Sequence, residues 1–190
     1  MHRALLFPAL ALTLTACAPD GPKDATVLII RHADKPEAGP GLSPAGEQRA
    51  NAYTRYFRDF TVDSKPLRLG AIFAAADSAE SQRPRLTLEP FARAAKLGID
   101  TRFGNGQVAE LAKALRATPS GKCVLICWRH GEIPDLLRAL GAAPEKLLPD
   151  GKWPANVFDW VIQLRYDSEG RLIPAGTRRI AAPLLPGDSE

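Results

Sequence analysis

Cysteine is scarce in this chain, with three residues in 190. Cys123 and Cys127 lie in the apolar run Lys122-Cys-Val-Leu-Ile-Cys-Trp128, which reads as a strand. Their Cα atoms would then stand about 13 Å apart along it, and a disulfide needs less than about 7 Å. No CxxC pair occurs, which excludes a thioredoxin-like dithiol, so buried unpaired thiols acting as small apolar side chains are expected. Blocks of like charge are also missing. No run of five or more Lys/Arg occurs and the arginines are spread along the chain, so no nucleic-acid partner is expected. The net charge of +4 is mildly basic and suits anionic substrates or surfaces. The apolar run of residues 4–14 is too short to span a bilayer. No solenoid-type repeat is present. What remains is an ordinary globular balance, 45% hydrophobic and 24% charged, in a length that suits one domain with a sizeable core.

The pattern along the chain alternates strand and helix. Residues 25–31 are a continuous β-branched apolar run, as in a strand buried on both faces of a parallel sheet. A polar Gly/Pro-rich loop, 34–42, follows it. Ser43 is a good N-cap with Pro44 at the first helical position, predicting a helix over 44–58. Further strands are expected at 68–75, 98–103 and 122–129, and helices at 80–96 (interrupted by Pro84 and Pro90), 108–117 and 133–140, the last closed by Gly141. Residues 142–156 read as a loop. Strands 157–166 and 171–180 are expected as a hairpin across the turn 167–170. The sum is a three-layer α/β/α sandwich with a mostly parallel central sheet over residues 25–183, followed by a loose tail, 184–190.

The N-terminal segment stands apart from this domain. A basic start, the apolar run and then Leu14-Thr15-Ala16-Cys17 resemble a lipoprotein signal peptide over residues 1–16, the alternative being an ordinary signal peptide cut after Ala16 or Ala18. The resemblance implies a lipid on Cys17, a tether over 17–24, and export to the cell envelope. With Ala18 after the cysteine, it points to the outer membrane, facing the periplasm.

Beyond that segment only two histidines remain, and each follows an arginine at the end of an apolar strand: Ile30-Arg31-His32-Ala33 and Trp128-Arg129-His130-Gly131. In an open α/β sheet ligands bind beyond the carboxyl ends of the strands. Both imidazoles are therefore expected at one edge, facing one cavity if the strands are neighbours. Arg129 should face away from that pocket, by strand alternation.

Arg31-His32-Ala33 with Gly41-Leu42-Ser43-Pro44-Ala45-Gly46 resembles the first motif of the histidine phosphatase (phosphoglycerate mutase-like) superfamily. Arg83-Pro-Arg-Leu-Thr87 resembles that family's Arg-x-x-x-Thr segment, and 124–131 the strand that delivers its second histidine. The resemblance covers about residues 26–180. It implies a phosphoglycerate mutase-like fold and a phosphomonoesterase that needs no metal or cofactor. His32 would be the nucleophile forming phosphohistidine, Arg31 and Arg83 the phosphate ligands, and His130 the second pocket histidine. The physical reason is general: a neutral imidazole nitrogen attacks phosphorus while fixed cations stabilise the charge that builds on the oxygens. A leaving alkoxide needs an acid. Glu132, two residues after His130, is the first choice and Glu110 the second. Asp34 would orient substrate or pair with Lys35, Arg85 is a lesser phosphate ligand, and Lys152 and Trp153 are candidate substrate contacts. The expected partner is a phosphorylated small molecule or envelope component. Two other readings stay open. His32-x-Asp34 and His130-x-Glu132 could hold a metal in a metal-dependent hydrolase, or the pocket could bind phosphate without turnover.

Overall fold

The computed structural model describes residues 21–188. The expected signal peptide and Cys17 lie outside them. The elements are β1 (Thr26–Arg31), α1 (Pro44–Arg58), β2 (Thr61–Val62), β3 (Lys65–Pro66), β4 (Leu69–Ala74), α2 (Arg83–Ala95), β5 (Ile99–Asp100), α3 (Val108–Arg116), β6 (Cys123–Trp128), α4 (Ile133–Ala139), β7 (Trp160–Arg165) and β8 (Arg178–Ala181). A six-stranded sheet runs β5-β4-β6-β1-β7-β8, with β2 and β3 a separate small hairpin that sequence reading missed. β5, β4, β6 and β1 are mutually parallel, while β7 and β8 add on antiparallel.

Strand alternation divides the core into two halves. Val27 and Ile29 of β1, with Val124, Ile126 and Trp128 of β6, pack against Leu111 and Leu115 of α3 and Leu136 and Leu137 of α4. Leu28 and Ile30, with Leu125 and Cys127, pack against Tyr53 and Phe57 of α1 and Leu88 and Phe91 of α2. The expected three layers follow, because the central strands are apolar on both faces and need a helix layer on each.

The boundaries depart from expectation where local chemistry intervenes. The second major helix starts at Arg83 rather than residue 80, which puts Pro84 in the first turn, where its missing N–H costs no helical bond; Pro90 lies inside the helix. The strand expected over 98–103 is reduced to Ile99–Asp100. The return strand of the last hairpin begins at Arg178, because a single helical turn, Pro174–Gly176, separates it from the 167–171 turn. The tail expected to be loose is docked as far as it is described. Asp188 ion-pairs with the buried Arg49 at 2.7 Å and also accepts the backbone N–H groups of Leu184 and Leu185. The described end of the expected tether, 21–24, is docked as well, Gly21 N–H donating to Gly170 O and Asp24 N–H to Asp167 O.

Candidate active site

The site is assembled where β1 and β6 end side by side. Arg31 stands opposite Trp128 in parallel register, and His32 N–H donates to Trp128 O at 3.0 Å. The two Arg-His doublets are thereby brought together, and the imidazole centroids of His32 and His130 lie 6.3 Å apart in a T-shaped arrangement.

His32 is 5 % exposed. Its Nδ1 stands 2.8 Å from Ala33 O, and a carbonyl can only accept, so Nδ1 carries the proton and Nε2 keeps its lone pair. Ala33 is held in turn: its N–H donates to Thr87 Oγ1 at 2.8 Å, and that hydroxyl donates to Arg83 O. Thr87, quoted above only as part of a motif, thus ties the loop after His32 to α2. A second tie explains the glycine of the first motif. A Cβ on Gly46 would sit 2.3 Å from Asp34 O, so only glycine lets α1 approach that loop.

Arg31 is the most committed side chain here. It is 1 % exposed, and its Nη1 donates to Pro154 O, Ala155 O and Val157 O at 3.1, 3.0 and 2.8 Å. Its guanidinium carbon lies 3.8 Å from the centroid of the Phe158 ring. Nη2 reaches Nδ1 of His130 at 3.4 Å. A guanidinium only donates, so His130 Nδ1 is the acceptor and Nε2 carries its proton. The pair is complementary: His32 offers a lone pair at Nε2 and His130 an N–H at Nε2. Expected as a phosphate ligand, Arg31 spends Nη1 on backbone and leaves only Nη2 on the pocket side, toward His130.

The other expected residues divide. Arg83 donates to Gly39 O and Glu80 O, spanning from α2 to the 34–42 loop. His130 and Lys152 line one cleft of about 360 Å³ with Asp150 and Arg138, as expected for the 142–156 loop, while Trp153 on its wall is only 3 % exposed and holds Val157 O by its indole. Asp34 turns away to ion-pair with Arg49 at 2.7 Å rather than with Lys35. Arg85 pairs with Asp77 and Glu89. Glu132 accepts the indole N–H of Trp128 at 2.9 Å, and Glu110 is exposed on α3. Neither glutamate is among the charges that act on the two imidazoles. The metal set imagined from Asp34 and Glu132 does not converge either: among the described residues no three His, Cys, Asp or Glu side chains come together. Sequence reading missed Arg49, Phe158 and Ser78. The only available signal was for Arg49, a charge at helical spacing with Gly46, Ala50, Tyr53 and Phe57 on the buried face of α1.

The charges that act on the two imidazoles are cationic. Burial, with the charges of Arg31, Arg83 and His130, pulls His32 down to about 4, against the opposing pull of its bond to Ala33 O. Burial, Arg31 and Lys35 lower His130 as well. Arg31, lowered by burial to about 10, stays charged at neutral pH. The His32 imidazole is therefore neutral at pH 7. An unfolded chain takes up a proton at this position near pH 6.5 and the folded chain only near 4. Stability should consequently fall as pH drops through that window, by about 3 kcal/mol in the limit. Thermal melts of wild type and His32→Asn between pH 7 and 4.5 should diverge, with the variant losing less; parallel curves would refute the assignment.

Comparison with known proteins comes down to fold. No protein-family profile matches the sequence, and no curated protein matches it. Among solved structures the chain is similar to the phosphohistidine phosphatase SixA described for Agrobacterium tumefaciens: 22% identity over 82% of this chain and 97% of that one, TM-score 0.53. It is similar also to phosphoglycerate mutases from Bacillus anthracis (12% identity, 81% and 92% covered, TM-score 0.51) and Plasmodium falciparum (14%, 87% and 96%, 0.51). The chain has the phosphoglycerate mutase-like fold.

Proposed function

We propose that this chain is a phosphatase that transfers the phosphoryl group of its substrate to Nε2 of His32 and then to water. The carrying observation is the fixed tautomer of His32, whose free lone pair lies in a pocket where the acting charges are positive. In the first step a bond forms between Nε2 and phosphorus as the bond to the leaving group breaks. Arg83, Arg31 through Nη2, and the Nε2–H of His130 stabilise the oxygens. In the second step water attacks the phosphohistidine, releasing orthophosphate and restoring the imidazole.

The leaving group sets the substrate class. Glu132 accepts the Trp128 indole N–H and Glu110 is exposed, and on this reading neither serves as the acid for a departing alkoxide. This favours substrates whose leaving group departs without that help: an imidazole, as the name of the Agrobacterium relative states for that protein, an acyl or anhydride oxygen, or a phenolate. With EDTA present throughout, nitrophenyl phosphate should turn over about 100-fold faster or more than a simple alkyl phosphate. Equal rates would show that an acid is at work, and a selective loss for the alkyl ester in Glu132→Gln would identify it. Activity abolished by EDTA and restored by zinc would support the metal hydrolase instead. Tight phosphate binding without turnover of any ester would support a binding protein.

We further propose that Cys17 carries a lipid that anchors the domain at the outer membrane, facing the periplasm, on the strength of the Leu-Thr-Ala-Cys sequence. Fatty-acid labelling that persists in Cys17→Ser would refute it.

A further inference from the structure

Alternation at the ends of β1 and β6 sorts the doublets by face. Arg31 continues the parity of Val27 and Ile29, and His130 that of Val124, Ile126 and Trp128; these two meet. His32 continues the parity of Leu28 and Ile30, and Arg129 that of Leu125 and Cys127, so both fall on the α2 side of the sheet, where Arg83 stands. Facing away from His130, as the sequence suggested, therefore means facing the other half of the site.

Arg129 and Arg83 grip the same short turn. Arg129 Nη2 donates to Ser78 Oγ at 2.9 Å and Arg83 Nη2 to Glu80 O at 3.2 Å, in a turn closed by the Ser78–Ser81 bridge. These bonds, like that of Arg83 to Gly39 O, go to neutral oxygens. The Nε–H of each guanidinium is buried without a partner. The carboxylate of this turn, Glu80, is exposed and accepts from the Ser78 hydroxyl, and the charge of Arg129 acts on it without a hydrogen bond between them. Burial and the charge of Arg129 both disfavour the charged form of Arg83. Two guanidiniums on one turn, whose hydrogen bonds there go to neutral oxygens, are an arrangement that an anion would stabilise.

We propose that Arg129 forms a second anion position beside the phosphoryl site, with Arg83 shared between the two, so that the substrate carries a second negative group (phosphate, phosphonate or carboxylate) a few bonds from the phosphoryl that is transferred. This rests on the phosphoryl site proposed above. The substrate class narrows from any activated phosphate to a dianionic or doubly phosphorylated one.

Methylphosphonate and methylenediphosphonate form a matched pair of probes that the enzyme does not cleave. Calorimetric titration of the full chain in detergent should show the diphosphonate binding about tenfold tighter or more. In Arg129→Gln that advantage should shrink to about twofold or less, in Arg129→Lys it should be partly retained, and in Arg171→Gln, a surface arginine of the 167–171 turn, it should be unchanged. An advantage that persists in Arg129→Gln, or that falls equally in Arg171→Gln, overturns the second position and leaves the phosphoryl site intact. Failure of methylphosphonate itself to bind wild type overturns both.

Discussion

His32→Asn should form no phosphoenzyme and should lower kcat/KM for an aryl phosphate by on the order of 1,000-fold or more. The substitution keeps a small polar side chain in a position that is 5 % exposed, so the fold is retained while the ring nitrogen that would bind phosphorus is lost. Residual turnover is expected, because the cations would still stabilise a phosphoryl group attacked directly by water. The direct readout is an acid-labile, base-stable phosphate label on wild type that is missing from His32→Asn. A variant that keeps even a tenth of the wild-type rate would remove His32 from the reaction.

The second large effect belongs to Arg31, and it concerns stability as much as activity. Arg31→Met would leave the carbonyls of Pro154, Ala155 and Val157 without the donor that now serves all three, and would take the cation from the face of Phe158. Pro154 O keeps the Val157 N–H and Val157 O keeps the Trp153 indole, so the lost donor to Ala155 O and the lost cation–π contact together should cost about 2–3 kcal/mol, which lowers Tm by about 5–10 °C in a domain of this size. Arg31→Lys keeps the charge but not the planar fork, and should recover only part of the loss. Activity should fall with it, since the 154–158 segment and the Nδ1 of His130 lose their common anchor. A thermal shift within about 2 °C of wild type would mean that the carbonyls find other donors.

The two central strands were legible because 25–31 and 122–129 are apolar on both faces, and the only environment that buries both faces is the middle of a parallel sheet. His32 and His130 were legible because each closes such a strand. What escaped reading is what depends on side-chain direction and on long-range closure. Asp34 and Glu132 have the right chemistry two residues from a histidine, but Arg49 and Trp128 claim them from other elements. Arg31 looked like a phosphate ligand, while the carbonyls that occupy it lie more than 120 positions along the chain, beyond the reach of any local pattern. The docked tail is a similar case. Residues 184–188 have no periodicity of their own, and their order follows from the buried charge of Arg49, which needs Asp188 as well as Asp34.

The polarity of β1 has a consequence for how the molecule meets its surroundings. The strand enters the sheet at Thr26 and delivers His32 at its far end, about 20 Å away. β6 and β4 run the same way, so the whole catalytic edge lies opposite the end from which the chain enters. A domain moored at Cys17 would point its mouth outward, like a cup standing on its base. In that arrangement phosphates dissolved in the surrounding fluid or displayed by a facing macromolecule would come within reach, and headgroups of the leaflet underfoot would not. Lipidated and lipid-free protein should accordingly consume a dissolved substrate at the same rate, and a large gain for the lipidated form on vesicle-borne phosphate would contradict this orientation.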